Sequence, residues 1–395
     1  MEGLALTERD VGARLLAPIR WLVYVVNVLD NDFRREFSPA NGDCMFERAT
    51  IGDVAQQAGV SIATVSRVVN GRYGVAPATF DRVKAVIDDL GYETSLIARS
   101  LRSQCTNVIG VLVADIEPFS AEVLKGASNA LRGTDYELIV YCGGHNGELV
   151  GWERRYLSRL SGTLADGTVL VTPTVADVSL NQPVVAVDPQ TGASSFPTFA
   201  SQNFEGALTA TRHLLELGHR RIGFLGGRRD LESAMARERG YRAGLDEAGI
   251  EFDPELVLEG GFKEATSEGP ARRLLSLPQR PTAIFAANDL SAIQTMRTAT
   301  VLGLAVPHDL SVIGFDNVPE SATTNPPLTT VDQSIQGLGF AAVRTLIELI
   351  ERPELRQQPS AHVALPTTLV VRGSTAAVRH HTIQSTHRTI NEGAH

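Results

Sequence analysis

The chain is poor in cysteine. Cys44, Cys105 and Cys142 are its three in 395 residues. They are far apart and form no Cys-x-x-Cys pair, which argues against a disulfide framework and for a reduced interior. The nine histidines are scattered apart from the pair His380 and His381, and no His-Glu-x-x-His occurs, so no zinc site is expected. A membrane-length apolar run is also missing. The longest apolar stretch, 15–29, contains Pro18 and Arg20 and falls short of the ~20 residues that a bilayer requires. Glu2, Glu8 and Asp10 precede it, so the basic start of a secretory signal is lacking and the chain reads as cytoplasmic, with no membrane partner. No internal repeat suggests a solenoid. The dinucleotide fingerprint Gly-x-Gly-x-x-Gly is not matched, because Gly223–Gly227 reads GFLGG. No nucleophile–base pair stands out, so the chain does not read as an enzyme and no cofactor is expected.

What is present suits a soluble α/β protein of two or three folding units. With 43% hydrophobic and 21% charged residues, a core of this size needs no disulfide or metal to close it. The formal net charge of −9 opposes a surface coated in nucleic acid. It leaves room for a small DNA-binding module on an acidic body, since only local charge meets the phosphates.

Residues 1–48 carry no capped amphipathic unit. Two readings of them stand: a real N-terminal arm, or an extension upstream of a true start at Met45. From Thr50 the helical signals are strong. Ile51, Val54, Ala55 and Ala58 form one apolar stripe, with Thr50 as N-cap, Asp53 in the first turn and Gly59 as the stop. Ser61 caps a second helix with the stripe Val65, Val68 and Val69, ended by Asn70-Gly71. A third runs from about Pro77 to Leu90. Three short helices with a tight glycine-centred turn between the first two describe a helix-turn-helix headpiece over 49–93. Residues 94–105 read as a linker or hinge rich in Arg and Ser.

After Asn107, apolar strands alternate with amphipathic helices. Strands are expected at 108–113, 138–141, 169–172, 184–187, 221–225, 283–286 and 311–315. Helices are expected at 121–131, 152–160, 206–217, 232–248, 270–275 and 290–302. Continuous apolar strands separated by helices imply parallel sheets covered on both faces over 106–375. From about Ala376 to 395 the chain is a polar tail, expected to be disordered.

The run 50–71, TIGDVAQQAGVSIATVSRVVNG, closely resembles the headpiece of the lactose/galactose repressor (LacI/GalR) family. So does 97–102, IARSLR, which looks like that family's hinge. The segments 218–227, 286–289, 311–316, 328–333 and 369–374 look like its sensor. The resemblance covers about 49–375. It implies an α plus α/β fold: a helix-turn-helix, a hinge, and a two-lobed sensor of the periplasmic-binding-protein type. The two Rossmann-like lobes are joined by three crossovers and hold the ligand between them, lobe one being about 106–200 plus 335–360. It also implies a sequence-specific DNA-binding transcriptional regulator, a repressor whose operator affinity a small sugar-like effector controls.

At the DNA end, the core face of the second helix leaves Ile62, Ala63, Ser66 and Arg67 on the other side. In the resembled family these positions include base-reading ones. Arg67 suits a guanine edge, Ile62 and Ala63 suit shape and methyl contacts, and Ser61, Thr64 and Asn70 suit phosphates. The alternative for Arg67 is an ordinary solvated side chain. Residues 49–104 hold six Lys/Arg and five Asp/Glu, a balance of +1. One headpiece is therefore a weak binder, and a homodimer on two half-sites is expected on double-stranded operator DNA. The resemblance further implies that paired hinges push Leu101 into the minor groove, with Ala98 and Arg102 beside it. An ordinary linker leucine is the other reading.

At the sensor end, Asp188, Asn288 and Asp316 each emerge from the carboxyl end of an expected strand, where a crevice ligand sits. Asn288 has a second reading as a helix cap. The resemblance adds Arg237 and Phe262, and places Phe119 in a loop that family members often write Asn-Pro-Phe-Phe. Here that loop is Glu117-Pro118-Phe119-Ser120, one residue shorter. Gln202 replaces a common Asp and Ala76 a usual capping Ser. Two rival functions share parts of this pattern. A periplasmic binding protein needs no helix-turn-helix, and an architectural DNA binder needs no crevice residues.

Overall fold

The computed structural model describes the backbone of 24–27 and residues 49–69, 74–91, 105–143, 151–160, 164–177, 182–191 and 194–378. The strand β1 (Tyr24–Asn27) lies within the 1–48 segment. The headpiece is three helices, α1 (Ile51–Ala58), α2 (Ile62–Val69) and α3 (Pro77–Leu90). Thr50 and Asp53 close a reciprocal capping box on α1, and Gly59 ends it in the left-handed conformation at φ 63°. Ser61 Oγ accepts the Thr64 N–H at 3.2 Å and starts α2. Ala76 offers α3 no side-chain cap. Val54, Ala55, Ala58, Val65, Val68 and Val83 meet as the headpiece core.

The sensor is two parallel sheets. Lobe one contains β2 (Val108–Val113), β3 (Glu137–Cys142), β4 (Gly167–Val171), β5 (Val184–Val187), β6 (Thr198–Ser201) and β12 (His362–Leu365), in the order β1-β3-β2-β4-β5-β6-β12. Helices α4 (Pro118–Ala130), α5 (Trp152–Leu160) and α11 (Ile335–Glu351) cover it. Lobe two is β7 (Ile222–Gly226), β8 (Val257–Glu259), β9 (Ala283–Ala286) and β10 (Ser311–Ile313), in the order β10-β9-β7-β8. Its helices are α6 (Asn203–Glu216), α7 (Glu232–Glu247), α8 (Glu264–Leu275) and α9 (Asp289–Val301), with the short α10 (Pro319–Thr323) after β10. Strands β11 (Thr330–Asp332) and β13 (Thr368–Val370) pair antiparallel beside β10. Every strand of β2, β4, β5, β7 and β9 is buried along its whole length. That is why each reads as a continuous apolar run.

The chain crosses between lobes three times: after β6, between β11 and α11, and between β12 and β13. Lobe one therefore extends to Leu365, beyond the 335–360 expected, because β12 pairs with β6. Helix α8 begins six residues before the expected Pro270 and runs through it, giving up only the backbone bond that the missing N–H would make. Contacts also continue past Ala376. The Val378 N–H donates to Leu217 O at 2.9 Å, and His219 Nε2 lies 3.1 Å from Ala376 O. Among the described residues no helix is long and apolar enough to cross a membrane.

Helices α4 and α11 pack backbone to backbone. A methyl on Gly126 would land on the Gln336 carbonyl, and one on Gly339 would land on the Val123 carbonyl. Neither obstacle is a flexible side-chain end, so Gly126→Ala should cost ~1–3 kcal/mol of sensor stability as an overpacking change. Urea denaturation of the two proteins checks this, and equal midpoints would contradict the packing described.

Candidate functional site

On the headpiece, Val65 and Val68 face the core, which turns the opposite side of α2 outward. Ser61, Ile62, Ala63 and Arg67 are exposed, Ile62 at 54%, while Thr64 and Ser66 are half-buried. An isoleucine this open on a short helix has no place in the headpiece's own core. The surface offers a guanidinium, three hydroxyls and apolar groups, the mixture that a major groove accepts. Asn70 and the hinge residues Ala98, Leu101 and Arg102 lie outside the described residues.

The second site lies between the lobes, at the carboxyl ends of the strands. Its centre is Arg237 on α7, 3% exposed. Nε donates to Asn203 Oδ1 at 2.9 Å, Nη1 to Ala287 O and, at 3.4 Å, to Asp316 Oδ1, and Nη2 to Gln333 Oε1 at 3.3 Å. Its guanidinium carbon lies 3.8 Å from the ring centre of Phe315 and 5.6 Å from that of Phe262, so aromatic faces take up charge that water cannot solvate. Gln333 also donates to Asp316. Asp289 accepts from the Val318 N–H at 2.9 Å and from the Thr330 hydroxyl. From lobe one, Asp188 ends β5 and bonds the Ser233 side chain of α7, while Gln190 O accepts the Glu232 N–H at 3.3 Å.

Backbone strain gathers at the same strand ends. Thr172 (φ 49°), Asp188 (48°), Phe262 (65°) and Asp316 (121°) are all left-handed without being glycine. Such residues persist where surrounding structure over-determines them, commonly at ligand sites.

The electrostatics follow from burial. Three carboxylates surround one guanidinium. Burial pushes the Asp316 carboxyl up to about 7, against the pull of Arg237 and Gln333. Burial and the neighbouring Asp316 push Asp289 well above the usual carboxylate range. Burial also raises Asp188, although Arg237 and Ser233 oppose it. Arg237 is itself lowered by burial, though all three carboxylates hold its charge in place. The ion pairs are outweighed by desolvation, so the cluster retains a proton near neutral pH.

The structure brings Asp188, Arg237, Phe262 and Asp316 together. Asn288 serves as the N-cap of α9: its Oδ1 accepts the Ser291 N–H at 3.0 Å and its Nδ2 donates to Phe262 O at 3.0 Å. It positions Phe262 with the two groups it has. Phe119, in the first turn of α4, packs onto the lobe-one core. Sequence reasoning missed Gln333, Asn203, Asp289 and Phe315 as members of the cluster. Gln333 follows β11, so the rule that polar groups at strand ends mark the crevice would have found it, had that three-residue strand been recognised.

Comparison with known proteins agrees with this geometry. The family model described as bacterial regulatory proteins, lacI family, matches residues 50–95, and one described as a periplasmic binding protein-like domain matches 211–375. The HTH-type transcriptional repressor PurR of Aliivibrio fischeri (strain MJ11) is 36% identical over 326 residues, covering 79% of this chain and 96% of its own length. A lac repressor dimer bound to operator and the anti-inducer ONPF superposes with a TM-score of 0.71 at 27% identity, covering 84% of this chain and all of that one. A complex of the transcriptional regulator CelR with cellobiose gives 0.61 at 30% identity, covering 83% and 100%.

The retained proton makes a prediction about stability. Between about pH 4, where the unfolded Asp316 titrates, and about pH 7 the folded state holds a proton that the unfolded chain has released. Stability from this group therefore falls as pH rises through that window and is level above it. His213 and His219, lowered by burial, tilt the curve the other way, losing stability as pH falls below about 6.5. Asp316→Asn removes the first slope together with the part of the Asp289 shift that Asp316 causes, which has the same sign, and leaves the histidines in place. The wild-type minus variant stability, from urea titrations at several pH values, should decline from pH 4 to 7, and a pH-independent difference would refute the assignment.

Proposed function

Because the chain belongs to the lacI family of bacterial regulatory proteins, we propose a reading of how its own residues act. The protein is a DNA-binding transcriptional repressor under small-molecule control, and not an enzyme. It works in the cytoplasm as a homodimer on a near-palindromic operator. Each α2 enters a major groove, with Arg67 reading a guanine, Ile62 and Ala63 making apolar contacts, Ser66 beside them on the base-facing side, and Ser61, Thr64 and Asn70 holding the backbone. The hinges, through Ala98, Leu101 and Arg102, wedge open the minor groove. The observation that carries this reading is the coexistence, on one chain, of an outward-facing α2 and a crevice built around a buried Arg237.

The effector is a sugar or a sugar derivative. Its hydroxyls bond Asp188 and Asp316 while Phe262 and Phe119 pack on its apolar face. The complex of the CelR relative with cellobiose supports this class. Effector binding shifts the arrangement of the lobes, the hinges separate, and the operator is released. Linkage requires the effector to bind free protein more tightly than the operator complex.

Two measurements test the reading. Arg67→Ala should cost roughly 1–3 kcal/mol per contact on operator and little on scrambled DNA at fixed salt. Equal losses on both would remove its base-reading role. Calorimetry with a panel of mono- and disaccharides should find a ligand whose affinity drops at least tenfold in Asp188→Asn and Asp316→Asn. The same panel carries purine bases, and a base binding more tightly than every sugar would overturn the sugar assignment.

A further inference from the structure

Each lobe sends charge across the mouth of the crevice. Lys263 follows β8 and Phe262 in lobe two. Its Nζ lies 3.0 Å from Glu117 Oε1 and 3.9 Å from Asp115 Oδ2, both of which follow β2 in lobe one. The sheet orders say where this contact sits. In lobe two, β8 is the edge strand opposite β10, and β10 is the strand beside which β11 and β13 carry two crossovers. In lobe one, the crossovers leave β6 and β12 at one edge, and β2 lies beyond β4 and β5 from them. The ion pair is thus on the side remote from the connecting segments, where a small rotation about them opens the widest gap. Two contacts already described, Glu232 N–H to Gln190 O and Asp188 to the Ser233 side chain, join the lobes at the β5 end instead. Glu117 is also a departure of this chain, in a loop that the resembled family often begins with asparagine.

We propose that Lys263 with Glu117 and Asp115 forms an electrostatic latch between the lobes, which makes their closure depend on ionic strength. The pair is accessible to salt, with side chains 57% and 33% exposed for Lys263 and Glu117. Pairs of this kind shift an equilibrium modestly, by about two- to five-fold in the ratio of closed to open forms. Screening shortens their reach from about 10 Å at 0.1 M salt to about 3 Å at 1 M. Lys263→Glu does more than remove the pair, because three carboxylates then face one another. The latch acts on closure itself and stands whatever the effector proves to be.

The test needs no effector. Spin labels on Asn129→Cys in α4 and Arg273→Cys in α8, both exposed positions, report the separation of the lobes by pulsed dipolar spectroscopy. Cys44 and Cys105 are replaced by serine, and an excess of unlabelled chain suppresses distances between protomers. At low salt the otherwise wild-type chain should give the shorter distribution, lengthening at about 1 M NaCl, where the screening length of about 3 Å is comparable with the contact itself. Lys263→Glu should give the longer distribution at low salt. The exchange Lys263→Glu with Glu117→Lys should bring back the shorter one. If Lys263→Glu leaves the distribution unchanged at low salt, or if the exchange fails to restore it, the latch is wrong. Among the described residues every substituted side chain is exposed or half-buried, and unchanged thermal midpoints establish that each variant is folded.

Discussion

The sensor depends on the burial of one guanidinium. Desolvating such a group is tolerable only when each donor has an acceptor and its charge is matched. Arg237 places four N–H bonds on segments far apart in sequence: Asn203 at the first crossover, Ala287 after β9, Asp316 after β10 and Gln333 at the second crossover. Asp289 adds β11 to the cluster through Thr330. The residues that line the crevice are therefore those that fix the connections between the lobes. A molecule that alters the hydrogen bonding of Asp188 or Asp316 acts directly on the segments about which the lobes turn.

Function and stability pull against each other here. Left-handed backbone at Thr172, Asp188, Phe262 and Asp316 costs of order 1–3 kcal/mol at each residue, and a retained proton replaces a fully ionised pair. The bulk of the molecule offsets these terms with the fully buried central strands of its two sheets and the close α4–α11 contact. Strain at the strand ends is what aims the polar groups of both lobes at a common point.

How much of this was legible in the sequence depends on the length of the element. Strands 108–113, 184–187 and 283–286 are four to six apolar residues in a row and announce themselves, as do the capped headpiece helices. β8, β11 and β13 are three residues long, too short for any period to register, and the four-residue β6 (TFAS) and β12 (HVAL) lack the unbroken apolar run that marks 184–187 and 283–286. Helix α11 did carry a helical stripe, Ile335, Leu338, Ala342, Val343, Leu346 and Ile347, all buried, but was placed only through the resemblance. Asp188 and Asp316 were found because the strands before them were. Gln333 was missed with β11. The internal bonding of Arg237 was beyond sequence reasoning, because its acceptors come from segments that only the fold brings together. Asn288 shows the opposite limit: the strand-end rule found its position, and its side chain turned out to cap α9.

The triple crossing has a consequence for biosynthesis. Lobe one lacks β12 until residue 365 has been made, and the β11–β13 pair beside lobe two lacks its second strand until residue 370. The lobe-one sheet and that pair are incomplete until then, although the four strands of the lobe-two sheet have all been made by residue 313. The acceptors of Arg237 are likewise incomplete until Gln333 leaves the ribosome. β2 has both neighbours by residue 171 and β7 by residue 286, but β6 keeps an unpaired edge until β12 is made at residue 365, a state prone to aggregation. The headpiece is finished by residue 91 and is free to fold early. Premature termination near the end of the message should thus release chains with an assembled DNA-binding end and an unfinished sensor.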